Sequence, residues 1–217
     1  MEQAIEELIH LFRSLAPARE DQNLIARTFT ALEDKYSLSQ KIAHEPGLTE
    51  IIKQMMGRIY RPYSSFTTLK GQRILDIACG SNTSKALSFV FVDTPFGDKR
   101  IPIASIEGYT AQFEPWFCRT LLELGADPVG LDLGNLDGET FEHHPVDLGL
   151  PGALDFLPSH SFDAVQDSRL FGSPEFTAQF PNQEDRIKIA VEIWSQEQRL
   201  LKANGIMIHS DAVNLLP

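Results

Sequence analysis

The residues best placed to do chemistry are acids at the ends of apolar runs. Arg73-Ile74-Leu75-Asp76-Ile77-Ala78-Cys79-Gly80-Ser81 is a branched apolar run that ends in a small-residue turn with one carboxylate set inside it. Such a run reads as a buried parallel strand delivering its carboxyl end to a ligand. Pro128-Val129-Gly130-Leu131-Asp132-Leu133 repeats the pattern, and Asp132 at its end is placed to accept two hydrogen bonds from a ligand's hydroxyls. A third run, Phe141 to Leu148, carries His143, His144 and Asp147, and a fourth, Phe162-Asp163-Ala164-Val165-Gln166-Asp167, ends in another acid. In open α/β sheets ligands sit outside the carboxyl ends of strands, near the point where strand order reverses. By position this makes Asp167, Ser168 and Arg169 candidates, and leaves Asp163 to cap or be solvated at the other end.

The elements that must position these acids follow from periodicity. Residues 1 to about 62 read as helical: Ala4, Ile5, Leu8, Ile9, Leu11, Phe12 and Leu15 in one segment, and Leu24, Ile25, Thr28, Phe29 and Leu32 in a second beyond Pro17. Leu48, Ile51, Ile52, Met55, Met56 and Ile59 form another, entered through Pro46-Gly47 or capped by Thr49. On its residues alone this region is a structural layer or dimer surface; a cover over the ligand site is implied only by the family that the strand motifs resemble. Arg61-Pro62-Tyr63 reads as a linker into the first strand. Residues 63–217 then form the α/β domain, interrupted by an insertion at about 81–113. Within it Ala86 to Val92 is a short strand or buried helix turn, and Asp93 to Asp98 a turn. The insertion is a wall of the site or a structural excursion, and long loops in compact domains favour the first. A helix follows from Pro115, a residue suited to a first helical position, to Leu124, with Gly125 as its stop and Glu114 beside its positive end. Residues 149–161 form a loop or short helix, a helix from Asn182 or Gln183 to Lys202 stops at Asn204-Gly205, and Ile206 to His209 is the last strand. Trp194 reads as core.

Ile74-Leu75-Asp76-Ile77-Ala78-Cys79-Gly80 resembles the first motif of class I S-adenosylmethionine-dependent methyltransferases. Pro128 to Asp132, Phe162 to Asp167 and Leu200 to Ile208 resemble that family's second, fourth and fifth strand regions, in family order from Gln72 to His209. The resemblance implies a doubly wound, mostly parallel Rossmann-like α/β sheet with S-adenosylmethionine as cofactor and methyl transfer to a small-molecule acceptor. It implies that Asp76, Ala78, Gly80 and Ser81 wrap the methionine end. It further implies Asp132 and Leu133 at the ribose, Asp147 and the Leu148 backbone at the adenine, and Asp167 at the site. The chain departs from the family pattern after Gly80, where a second glycine and a helix are expected. It also departs after His209, where the antiparallel strand pair is missing, so the sheet edge is covered by another element or subunit or the chain is a fragment; a homodimer is one expectation. The family has no fixed catalytic triad; His209, Asp167 or a third-strand histidine are the base candidates.

Composition narrows the alternatives. The formal charge of −11 over 217 residues argues against a phosphate-backbone partner, since such binding is driven by cations; Lys99-Arg100 and Arg58 with Arg61 are the short basic candidates. No long apolar span or secretory leader is visible, so a cytoplasmic protein is the default expectation. Cys79 and Cys118 are too few for a disulfide framework, and adjacent His143 and His144 point to different sides of a strand, so no metal site is predicted. A nicotinamide-binding oxidoreductase would need a G-x-G-x-x-G turn opening directly into a helix. A non-catalytic scaffold of the same fold remains the second reading.

Overall fold

A computed structural model describes residues 2–16, 18–81, 85–92, 99–109, 111–167, 170–171, 176 and 179–208. Helices α1 (Glu2–Leu15), α2 (Arg19–Tyr36), α3 (Leu38–His44) and α4 (Gly47–Tyr63) precede strand β1 (Arg73–Ile77). A hairpin of β2 (Lys85–Val92) and β3 (Lys99–Tyr109) follows, then α5 (Trp116–Glu123), β4 (Asp127–Asp132), β5 (Glu142–Pro145) and β6 (Phe162–Gln166). Helix α6 (Gln183–Leu200) and strand β7 (Leu201–Ile208) complete the described elements.

The main sheet has the order β5-β4-β1-β6-β7, and every neighbouring pair is parallel. The chain moves outward from β1 to β5 on one side, then crosses back to β6 and β7 on the other. Strand order therefore reverses between β1 and β6, the Rossmann-like switch point where ligands bind. The segment predicted as an insertion forms its own antiparallel two-stranded sheet, β2 with β3, and the choice for Ala86–Val92 resolves to strand.

Alternation along the strands sends side chains into two layers. Ile74 and Ala164 face the layer built from α1 to α5, with Phe12, Phe29, Ile52, Met56 and Trp116 at its centre. Leu75, Ile77, Val129, Leu131 and Val165 face α6 and the turns of residues 149–161. The amino-terminal helices thus share one core with α5 and the sheet. Buried Asp21 ties α2 to the segment before β1, accepting from Ser65 Oγ and Phe66 N at 2.9 Å and from Thr67 N at 3.1 Å.

Four local expectations change. Arg61-Pro62-Tyr63 is the last turn of α4 and not a linker; the chain leaves the helix at Ser64, whose φ is 55°. Helix α3 has no counterpart in the periodicity reading because it is one short stretch set off by Ser37 at φ 52°, with Glu33 capping it through Ser39 N at 2.7 Å. Pro115 caps α5 from outside, Trp116 being the first helical residue. Asn204-Gly205 does not stop α6: the helix ends at Leu200, β7 starts at once, and the two residues lie in an irregularity between the pairs Phe162–Leu201 and Ala164–Ile206. A turn-forming pair can be absorbed by a strand bulge as readily as by a helix end. Asn182 is the α6 cap, accepting from Glu184 N at 3.0 Å. Pro17, Asp93 to Asp98, Ser168, Arg169, His209 and residues 210–217 lie outside the described residues.

Candidate ligand site at the carboxyl edge of the sheet

Asp76 is the fourth residue of β1 and points into the layer of α4 and α5. It is side by side with Gln166 of β6 in the ladder. Gln166 Nε2 donates to Asp76 Oδ1 at 3.1 Å, and Cys118 Sγ of α5 donates to Oδ2 at 3.7 Å. Its partner on the other side is Gly130, and a β-carbon there would lie 2.9 Å from Cys79 Sγ and 3.3 Å from Cys118 Sγ. Gly130 is therefore the gap that lets two thiols stand beside the acid. Burial pushes the Asp76 carboxyl up to about 7, against the pull of the Gln166 and Cys118 bonds; the charge of Asp132 adds to the rise, and that of Arg58 opposes it. Burial first of all also raises both thiols, so both cysteines are packing groups and not nucleophiles. Gln166 is 2 % exposed, and its Oε1 has no hydrogen-bond partner among the described residues.

The turn after β1 is held from two sides. Ala78 has φ 60° and Gly80 φ 92°, so the chain reverses tightly there. Asp132, the last residue of β4, accepts from Gly80 N at 2.9 Å through one oxygen and from Gly134 N at 2.8 Å through the other. Ser81 is buried against Gly134, where any β-carbon would meet the serine hydroxyl at 2.2 Å. On the opposite side the Phe113 carbonyl accepts from Ser81 N at 2.9 Å and would lie 2.1 Å from a β-carbon on Gly80. The glycine is required by the chain's own backbone.

The remaining candidates line the same edge without joining this cluster in direct contact. Leu133 is exposed just beyond β4, and Leu148 packs against the α6-side core. Asp147, two residues past β5, accepts from Gly149 N at 2.9 Å and from Gln179 Nε2 at 3.3 Å. Asp167, directly after β6, is buried and accepts from Trp194 Nε1 at 3.2 Å. Beneath it Glu197 of α6 is fully buried, and burial with the nearby Asp167 charge pushes its carboxyl well up, towards the protonated form. Asp163 lies at the amino edge, accepting from Arg73 N and Lys202 Nζ at 2.8 Å, the capping role expected of it. His143 Nδ1 meets the Phe141 carbonyl and His144 Nε2 meets Glu142.

Sequence reasoning passed over Gln166, Cys118 as a donor, Glu197 and the Phe113–Glu114 backbone. Glu197 was detectable: it follows Ala190, Ile193 and Trp194 at helical spacing, a charge set on an apolar stripe. Gln166 carried the weaker signal of a polar residue inside a strand buried on both faces. The backbone contact to Gly80 carried none.

Compared with known proteins, the chain matches no family model and no curated relative. Among the described residues no helix is long and apolar enough to cross a membrane.

Proposed function

We propose that the chain transfers a methyl group from S-adenosylmethionine to a small-molecule acceptor. One observation carries this reading. Four carboxylates, those of Asp76, Asp132, Asp147 and Asp167, stand along one edge of a parallel sheet where the strand order reverses. Such an edge suits a ligand that brings positive charge and hydroxyl or amino donors. S-adenosylmethionine offers a sulfonium, an ammonium, two ribose hydroxyls and an adenine amino group. Asp132 would hold the hydroxyls, Asp147 with the Leu148 backbone the adenine, and Asp76 with the open Gln166 oxygen the methionine end. The cofactor supplies an activated methyl group; the chain's residues align the acceptor and exclude water. Asp167 and the β5 histidines His143 and His144 are the base candidates within the described residues.

A pyrophosphate-binding dinucleotide site fits less well, because β2 begins at Lys85 where that site would need a helix amino terminus. The Phe113 carbonyl against Gly80 favours a second reading, a scaffold whose turn is filled by its own chain. Calorimetric titration with S-adenosylmethionine, S-adenosylhomocysteine and NAD separates these. Saturable heat with the first two alone is expected; heat with none of them supports the scaffold.

A further inference from the structure

We propose that Glu45 and Lys41, on the helical layer, are positioning residues that set the shape of the Gly80 turn through a strap of backbone at residues 111–114. The inference rests on the reading of that turn as part of the cofactor site. The strap begins with a single 3-10 turn, Ala111–Phe113, whose first amides have no partner within it. Glu45 supplies the acceptors: Oε1 takes Ala111 N at 2.7 Å and Oε2 takes Gln112 N at 3.3 Å. The Ala111 carbonyl takes Trp116 Nε1 at 2.6 Å. At the far end Glu114 is buried, with Lys41 Nζ at 2.7 and 2.6 Å from its two oxygens and Arg119 on the other side. Between these anchors lies Phe113, whose carbonyl fills the open side of Gly80 and accepts from Ser81 N. Charge-assisted bonds at both ends fix one carbonyl against a glycine with no β-carbon to resist it. Loosening either end frees the turn, though neither side chain touches it.

The test measures amide exchange at Ser81 and titration with S-adenosylhomocysteine, on the full chain. Glu45→Gln and Lys41→Met are compared with Lys41→Arg, which keeps the charge, and with Glu33→Gln, which uncaps α3 without touching the strap. We expect Ser81 exchange to quicken about tenfold in the first two and to stay unchanged in the other two. S-adenosylhomocysteine affinity should fall about tenfold in the same pair. Unchanged Ser81 exchange in Glu45→Gln and Lys41→Met, or equal quickening in Glu33→Gln, overturns the proposal. If Ser81 responds as expected while the unmodified chain takes up no S-adenosylhomocysteine, the strap stands and the cofactor reading falls.

Discussion

The two edges of the parallel sheet treat their acids in opposite ways. At the amino edge Arg73 bridges Asp127 at 2.9 Å and Glu142 at 2.7 Å, and Lys202 meets Asp163, so each of these acids has a cationic partner at a partly exposed position. At the carboxyl edge Asp76 of β1, Asp132 of β4 and Asp167 just after β6 accept from Gln166, Cys118, Trp194 and backbone amides. Ion pairs in contact with water are worth little. The bonds described to the acids of the carboxyl edge come instead from neutral donors, and that difference is one ground on which this edge is proposed as the site.

Two arginines break the comparison most sharply, because each bridges two carboxylates and only one is buried. Arg119 lies behind the carboxyl edge, ion-paired to Glu114 and to Glu139 at 2.6 Å and packed with its guanidinium 4.1 Å from the centre of the Tyr36 ring. Its side chain is 4 % exposed and those of its partners 1 % and 2 %. Arg119→Met leaves two buried carboxylates facing each other's neighbourhood, with Lys41 serving only one. Removing one partner of a buried pair costs about 3–5 kcal/mol, and urea unfolding of the variant should show a loss of that order. A loss below about 1 kcal/mol would mean the two edges are energetically alike.

Asp76 gives the next effect through pH. Its carboxyl is raised from 3.8 in the unfolded chain to about 7 in the folded one, burial being the main cause. Between these values the folded state holds a proton that the unfolded state has released, so this acid's contribution to stability falls as pH rises from 3.8 to about 7. Asp76→Asn should remove that slope and gain on the unmodified chain towards pH 7, on the order of a few kcal/mol. Glu197 is displaced in the same direction, so the difference between the two profiles isolates Asp76 where either profile alone would not. Urea midpoints at pH 5 and pH 7.5 decide it, and parallel profiles would defeat the assignment. A cation bound at this edge should ionise Asp76, so ligand heats near pH 7 should depend on the buffer's own ionisation enthalpy.

Asp132 comes third. Asp132→Ala removes a charged acceptor from Gly80 N and Gly134 N as well as from any ribose hydroxyl. S-adenosylhomocysteine affinity should weaken by about 1–3 kcal/mol. Unchanged affinity in a folded variant sinks the ribose assignment.

Much of this edge was legible from residues, and the reason is local. Strand periodicity and terminal acids placed β1, β4, β5 and β6 in order, and the displaced helix after the insertion was found from Pro115 and Gly125, because these signals lie within a few residues of what they specify. The errors also were local signals, outvoted by packing. Pro62 does not end α4 until the chain turns at Ser64, and Asn204-Gly205 sits in a strand because β6 offers a partner to Leu201. What stayed hidden depends on contacts between distant segments: Gln166 with Asp76, Glu45 with Ala111, Phe113 with Gly80. No spacing rule reaches 66 residues from Glu45 to Ala111, and the acid's role there follows only once the end of α3 meets the 3-10 turn Ala111–Phe113.

Arg73 supplies the smallest effect and the control for the largest. Its side chain is 30 % exposed, its partners Asp127 and Glu142 are 56 % and 39 % exposed, and its guanidinium lies 5.3 Å from the centre of the Phe162 ring. Arg73→Met keeps most of the stem that packs on Phe162 and returns both carboxylates to water. Water replaces the lost bonds, so the cost should be about 0–1 kcal/mol and should shrink further in high salt. The same substitution at Arg119 meets no water, and its cost should hardly change with salt. Urea unfolding of both variants at low and high salt tests this pairing. A salt-insensitive loss at Arg73 as large as that at Arg119 would erase the distinction between a surface edge and a site edge on which the assignment of the ligand site stands.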